Sequence, residues 1–370
     1  LFREEYEKLE EKLLSPRATL SSRSKGRAYP EKKDPYRTSF QRDVDRILYS
    51  KSFRRLQYKT QVFIAPLGDH YRNRLTHTLE VMTISRAIAR ALRLNPDLTE
   101  AIALGHDLGH SPFGHAGEAV LNAKCKEYNP SLRFFHPEQS LRVVDVLERR
   151  VRSNGEIVFG LNLTFEVRDG ILHHSKGLAD LSALKGAHLP VTLEGEVVRI
   201  SDRIAYLHHD TDDAIRAGLI EESNIPEQVK KTLGKSNSKR LSTLILSVID
   251  YSKDKEHIGM PDSIVLAMDL WKNFLKERVY IGSKPKEEEK KVKELLSFLF
   301  DYFYNNPEKM EKFLQNHPIS LKTDNPIDYL KENRKERLIV ICDYLSSMTD
   351  RFAIEIAKSI LFPNPMPLND

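Results

Sequence analysis

Cysteine is nearly absent: Cys125 and Cys342 are the only two in 370 residues, and no C-x-x-C spacing joins them. A disulfide framework and a cysteine-rich zinc site are therefore not expected, and a reducing compartment is. No apolar run approaches the ~20 residues that cross a bilayer. The opening Leu1-Phe2-Arg3-Glu4-Glu5 lacks the pattern of a secretion signal, so the expected location is the cytoplasm, without a membrane partner. In that compartment the acceptor-like triplet Asn162-Leu163-Thr164 is accidental. No repeat of fixed period occurs. Neither sign of charge dominates: 58 Lys and Arg face 53 Asp and Glu, for a net +5. Most of that charge reads as a mixed solvated surface. The small positive excess suits an anionic ligand and permits nucleic-acid contact.

What is present is helix. Hydrophobic residues make up 40%, enough core for roughly two domains of ~150 residues. Phe2, Tyr6, Leu9 and Leu13 give residues 1–14 a helical stripe. Residues 15–40, with Pro16, Gly26, Pro30 and Pro35, read as an irregular basic segment. Helices are expected over Arg42–Tyr58, over Arg74–Leu94, from a Thr99 N-cap to about His106, from about Ala116, and over Pro137–Val151. Residues 153–165 suit a short β-hairpin, and Glu194–Ala217 a long helix. The Lys/Glu-rich run 281–293 reads as a surface linker. A last helix over Arg334–Leu361 precedes the tail Pro363-Asn364-Pro365-Met366-Pro367. The expected class is all-α, with at most a short β-hairpin.

Histidines and carboxylates cluster in the first 215 residues, most densely in Gly105-His106-Asp107-Leu108-Gly109-His110-Ser111-Pro112-Phe113-Gly114-His115. An adjacent His-Asp pair at a helix end can place two ligands on one cation, and glycine lets backbone and ligand approach. Such a doublet also arises by chance. His77 alone is an ordinary helical histidine. Asp202, inside an apolar helix, needs a partner, and a cap or an ion pair to Arg199 or Arg203 would serve. Taken together, His77, His106, Asp107 and Asp202 offer two imidazoles and two carboxylates. That set suits one divalent cation per subunit, with open positions: Mn, Fe, Co or Zn, and less readily Mg.

The order His, His-Asp, Asp resembles the HD superfamily of phosphohydrolases. Phe53-Arg54-Arg55-Leu56-Gln57-Tyr58-Lys59-Thr60-Gln61-Val62, the His77 and 105–118 segments, Gly160-Leu161-Asn162-Leu163-Thr164 and the Glu196–Asp210 helix closely resemble deoxyguanosinetriphosphate triphosphohydrolases. The likeness runs from about 36 to 216, with an echo at Met348-Thr349-Asp350-Arg351-Phe352. Tyr49 and Val44 depart from the family's usual histidine and arginine. The resemblance implies an HD-domain helical fold in residues 41–220, after an N-terminal helix and basic segment in 1–40. Residues 221–370 would complete the pocket and supply contacts of a homo-oligomer, a tetramer or hexamer. It implies cleavage of a dNTP, dGTP among them, to deoxynucleoside and inorganic triphosphate, with a further Mg²⁺ on the triphosphate.

The site residues follow from the same likeness. His115 and Glu118 match the family's catalytic pair and lie at i and i+3 on one helical face. Glu118 would otherwise simply complement a helix N-terminus. His110 and His136 match active-site histidines, although capping or loop hydrogen bonds would also account for them. Arg74, one turn before His77, is the candidate phosphate clamp. Arg54, Arg55 and Lys59 add positive charge, some of it for surface ion pairs. Asp202, Tyr206 and Asp210 share a face at i, i+4 and i+8. The likeness puts Tyr206 under the deoxyribose, Asp210 and Gln61 on its 3′-hydroxyl, and Val62 beside the substrate. Two other readings stay open. One is an HD phosphohydrolase for another nucleotide. The other is a single-stranded nucleic-acid binder that uses Arg17, Arg23, Lys25, Arg27, Lys32, Lys33 and Arg37 with Tyr29 and Tyr36.

Overall fold

The computed structural model describes residues 2–61, 71–151, 155–175, 189–280, 285–316 and 325–363. Among the described residues the chain is all-α apart from one two-stranded hairpin. Helix α1 (Phe2–Leu13) buries Glu10, which accepts from the backbone N and Oγ of Ser21. The basic segment that follows is irregular, and it lies on the surface as a strap. Arg27 pairs with buried Asp43, Arg37 with Asp34 and Asp45, and Arg17 donates to backbone carbonyls of residues 252, 253 and 255.

The helix expected over Arg42–Tyr58 is two helices, α2 (Ser39–Leu48) and α3 (Lys51–Arg55), followed by a 3-10 turn. Thr38 and Gln41 form a capping box at the start of α2. Ser50 breaks the run because its hydroxyl accepts from Phe53 N and starts a new helix there. Helix α4 (Arg74–Ala91) begins at an Asn73/Thr76 capping box, and α5 (Pro96–Gly105) begins at Asn95 rather than Thr99. Asn95 Oδ1 accepts from the N–H groups of Asp97 and Leu98, and Pro96 fits the first turn, where no N–H is needed.

Helix α6 (Gly114–Tyr128) precedes α7 (His136–Arg142). The expected helix over Pro137–Val151 stops short: a π-turn covers Val143–Leu147, and strand β1 (Arg149–Val151) pairs antiparallel with β2 (Ile157–Phe159). The hairpin is thus present, but it starts earlier than read. Helix α8 (Phe165–His173) was not foreseen. Helix α9 (Leu193–Arg216) runs along α4, which also packs on α5.

The rest is helical: α10 (Glu227–Leu233), α11 (Asn237–Ser252), α12 (Asp262–Leu275), α13 (Pro285–Asn305), α14 (Glu311–Asn316), α15 (Pro326–Glu332), α16 (Arg334–Ser347) and α17 (Asp350–Leu361). Buried Trp271 of α12 donates to Thr211 of α9. From Pro285 the Lys/Glu run is helix, not linker. Its composition favours helix, and Val292, Leu296, Leu299 and Phe303 follow at helical spacing and are buried. Residues 281–284 and the Pro-rich tail beyond 363 lie outside the described residues.

The expected last helix is also two. It breaks at Met348-Thr349, where Thr349 caps α17. The break frees Asp350 to reach across the molecule. Its carboxylate accepts from Thr60 N and Oγ1 and from Phe113 N. Phe113 and Gly114, at the start of α6, both have positive φ, 62° and 58°. For Phe113 that conformation is strained and must be held from outside. We expect Asp350→Ala to leave two backbone N–H groups without their acceptor. It should cost about 2–6 kcal/mol, at ~1–3 kcal/mol for each donor stranded. Urea denaturation would measure this, and a loss below 1 kcal/mol would mean that Asp350 does not pin the turn.

Candidate active site

Helix ends and helix crossings bring the histidines together. His77 comes from the first turn of α4, His106 and Asp107 from the end of α5, and Asp202 from the middle of α9. His77 Nε2 is 3.1 Å from Asp202 Oδ1 and 3.7 Å from Asp107 Oδ2. His106 Nε2 is 3.4 Å from Asp107 Oδ1 and 3.9 Å from Asp202 Oδ1. Cation–ligand bonds of ~2.1 Å put neighbouring ligand atoms about 3.0–3.5 Å apart, so this spacing fits a metal. The donor chemistry fits too. His106 Nδ1 donates to Ala103 O at 2.6 Å, because a carbonyl only accepts. Its Nε2 is then a buried lone pair with no hydrogen-bond partner among the described residues. These four residues could hold a divalent cation.

Asp107 is 2% exposed. Burial alone would raise its pKa, but His106, His110, Arg74 and His77 together hold it well below the usual carboxylate range. Asp202 behaves alike: burial opposes its charge, and the hydrogen bond and charge of His77 outweigh burial. The alternative reading of Asp202, an ion pair to Arg199 or Arg203, is not what the described contacts show. Arg203 lies 3.5 Å from Asp269, and Arg199 donates to His173 O.

A second group adjoins the first through Asp107. His110 Nε2 is 3.4 Å from Asp107 Oδ1, and its ring stacks on His136 at 3.9 Å. His136 opens α7, where both its backbone N and Nδ1 lie 2.9 Å from Glu118 Oε1. The other oxygen of Glu118 is 3.4 Å from Nδ1 of His115, which is exposed at the start of α6. Burial would raise the Glu118 pKa, yet His136 and His115 hold it far below the ordinary range. Gly109 permits this closeness, since a Cβ there would lie 2.1 Å from Ser140 N on α7. Ser140 Oγ instead clamps the loop, accepting from Gly109 N and donating to His106 O.

Around these groups sit the remaining expected residues. Arg74, buried, donates to Asp107 at 2.7 Å, while its Nε and Nη2 have no partner among the described residues. Gln61 Oε1 and the half-buried Tyr206 hydroxyl are likewise unpartnered. Asp210 is buried, with Oδ1 2.7 Å from His209 Nδ1. Val62 lies outside the described residues. Arg54 is exposed on α3 and donates to Tyr49 O, with no described contact to the histidines. Lys59 is a correction. It is buried and structural, its Nζ bridging His110 O and Ser346 O at 2.5 and 2.7 Å, and burial depresses its pKa to about 7.

The sequence reading missed two histidines. His174, at the end of α8, donates from Nδ1 to Ile171 O, and its Nε2 is 3.2 Å from His136 Nε2. Burial pushes its pKa down to about 3, so it is neutral and turns its Nε2 lone pair to His136. His209 Nε2 is 2.8 Å from His77 Nδ1. With Asp210 beyond it, His209 can accept the Nδ1 proton of His77, so that His77 Nε2 can exchange the proton it shares with Asp202 for a cation. His209 lies at i+7 from Asp202, a spacing that keeps it on the same face. That was the readable signal.

Two family models match this chain: an HD domain over residues 74–207 and a phosphohydrolase-associated domain over 258–359. Three similar proteins each bear the name deoxyguanosinetriphosphate triphosphohydrolase-like protein. That of Caldanaerobacter subterraneus subsp. tengcongensis is 50% identical over 98% of this chain and 96% of its own. That of Desulfatibacillum aliphaticivorans is 47% identical, over 98% and 99%. The Clostridium tetani protein is 41% identical, over 98% and 96%.

Two substitutions test the arrangement. Asp107→Asn should abolish uptake of Mn²⁺ or Co²⁺ by chelator-treated protein, read by calorimetric titration. His209→Phe should weaken that uptake ~10–100-fold, the usual cost of losing a partner behind a ligand. Equal affinity in wild type and His209→Phe would show that His209 does not orient His77.

Proposed function

Because the chain belongs to the deoxyguanosinetriphosphate triphosphohydrolase-like family of HD-domain proteins, we propose that it hydrolyses deoxynucleoside triphosphates to deoxynucleoside and inorganic triphosphate. The observation that carries this reading is the continuity of two groups through Asp107 and His110. One is a set of metal-binding character, and the other a proton-handling set, His115–Glu118–His136. A divalent cation bound by His77, His106, Asp107 and Asp202 supplies Lewis acidity toward phosphoryl oxygen.

The chain's own residues do the rest. Arg74 faces the phosphates with two open nitrogens and is itself held by Asp107. His110 Nδ1, buried and unpartnered, is a further contact for phosphate oxygen. His115 is exposed and backed by a carboxylate that remains ionised, so it can deliver a proton to the leaving 5′ oxygen and regain it from solvent. Tyr206 lies one turn beyond Asp202, where the sugar falls if the α-phosphate is at the metal-binding set. Its ring leaves no space for a 2′-hydroxyl. Asp210 then accepts from the 3′-hydroxyl while also holding His209, and the Gln61 amide donates to the same oxygen.

The deciding assay offers all four dNTPs and GTP with Mn²⁺ or Mg²⁺ and separates triphosphate from pyrophosphate and phosphate. Triphosphate release from dNTPs, with GTP a poor substrate, is the expected result. Equal use of GTP and dGTP would replace this reading with an HD phosphohydrolase of other specificity. His115→Ala should slow turnover at least ~100-fold while sparing cation binding, the scale of lost acid–base catalysis. Tyr206→Ala should narrow the preference for deoxyribose, chiefly by raising GTP hydrolysis. A preference that survives this truncation would remove Tyr206 from sugar selection.

A further inference from the structure

The chain's two cysteines, 217 positions apart, meet in its interior. Cys125 Sγ on α6 is 3.2 Å from Cys342 Sγ on α16. Both are buried as free thiols. A buried side chain touches about 6–12 others, so two given buried residues meet by chance about one time in ten or less. They join separate parts of the molecule, because Cys125 lies in the HD-domain match and Cys342 in the associated-domain match. A cavity of about 200 Å³ opens beside both sulfurs, lined also by Leu132, Arg133, Phe135 and Leu338, so a small reagent can reach them.

We propose that Cys125 and Cys342 are a reversible dithiol–disulfide pair which, oxidised by a low-molecular-weight disulfide, staples α6 to α16. The thiolate of Cys125 attacks one sulfur of the small disulfide. A mixed disulfide forms and one small thiolate leaves. Cys342, as thiolate, then attacks Cys125 Sγ and expels the second. The protein loses two protons and two electrons, and the small disulfide is reduced to two thiols. Cys125 goes first. The hydrogen bond from Cys342 lowers its pKa against burial, whereas Cys342 is held high by Cys125 and by burial.

The place of the staple gives it consequence. Helix α6 starts with His115 and Glu118. Asp343, beside Cys342, binds Gln139 and Arg142 of α7, the helix that opens with His136. The bond would therefore tie α6, which carries His115 and Glu118, to α16, which holds α7 and its His136 through Asp343. From 3.2 Å the sulfurs need only about 1.2 Å of approach to reach the ~2.05 Å bond, so the helices hardly shift. Closing so long a loop restricts the unfolded chain strongly, and Tm should rise by about 5 °C.

The full-length protein, kept folded, would be titrated with oxidised glutathione and followed by intact mass, peptide mapping and thermal unfolding. The expected product is a single chain lighter by two hydrogens, with a Cys125–Cys342 linked peptide and a raised Tm that dithiothreitol reverses. Cys342→Ser should stop at the glutathione adduct on Cys125, and Cys125→Ser should remain a free thiol. The proposal is overturned if folded protein keeps two titratable thiols where urea-unfolded chain oxidises. Adducts on both cysteines without the internal link, or a bond between two chains, would overturn it equally.

Discussion

Asp107 is a carboxylate held almost wholly out of water in the middle of a helical protein. Taking such a charge from solvent costs several kcal/mol, against about 0.8 kcal/mol gained per buried methylene. No local packing recovers that. What offsets it is a guanidinium at 2.7 Å and three imidazoles, supplied by α4, by the end of α5 and by the loop that follows. Much of the surrounding architecture brings those donors to one point. Helix α4 is capped one residue before Arg74, Arg74 N is fixed to Lys59 O, and Ser140 holds the loop against α7. An apolar core of equal volume would be more stable. That the arrangement exists is an argument for function rather than for folding.

The loop from His106 to His115 is held from both ends of the chain. Lys59, from the N-terminal side, ties the His110 carbonyl to Ser346 at the end of α16. Asp350, at the start of α17, holds the strained Phe113 and, through Thr60, the same N-terminal stretch. A helical region beyond the HD-domain match thus sets the angle at which α6 presents His115 and Glu118. Lys59 is well suited to this task. Three donors on one ammonium satisfy carbonyls from two segments, and those bonds offset only part of what burial costs the charge, since its pKa still falls to about 7.

The parts legible in the sequence were those with short-range or ordered signals. His77, His106, Asp107 and Asp202 stand out by residue type and order, and helix spacing alone puts Tyr206 on the Asp202 face. The three misread helix starts share one cause. Ser50, Asn95 and Thr349 each start a helix because a side chain outcompetes the ladder locally, and apolar periodicity runs straight through such points. Lys59 looks like a ligand for phosphate until its two carbonyl partners, 51 and 287 residues away, are known. His174 carries no spacing signal at all. It reaches the site only because α8 packs on α7.

The unpartnered polar atoms complete the picture. Gln61 Oε1, Arg74 Nε and Nη2, His106 Nε2, His110 Nδ1 and the Tyr206 hydroxyl come from four separate stretches of chain. Each would cost ~1–3 kcal/mol if left unsatisfied, and together they would be comparable to the ~5–15 kcal/mol that holds a domain folded. No described residue satisfies them, and a bound ligand could. Their chemistry is sorted by place. Beside Asp107, an arginine offers donors and a histidine a lone pair, the needs of a phosphoryl oxygen and of a cation. One helical turn on from Asp202, a phenol combines an apolar face with a polar tip. A ligand meeting all of these at once is anionic at one end and carries a compact hydroxylated ring next to it. Binding it would stabilise the fold as well as begin the chemistry, because the folded state alone aligns these groups.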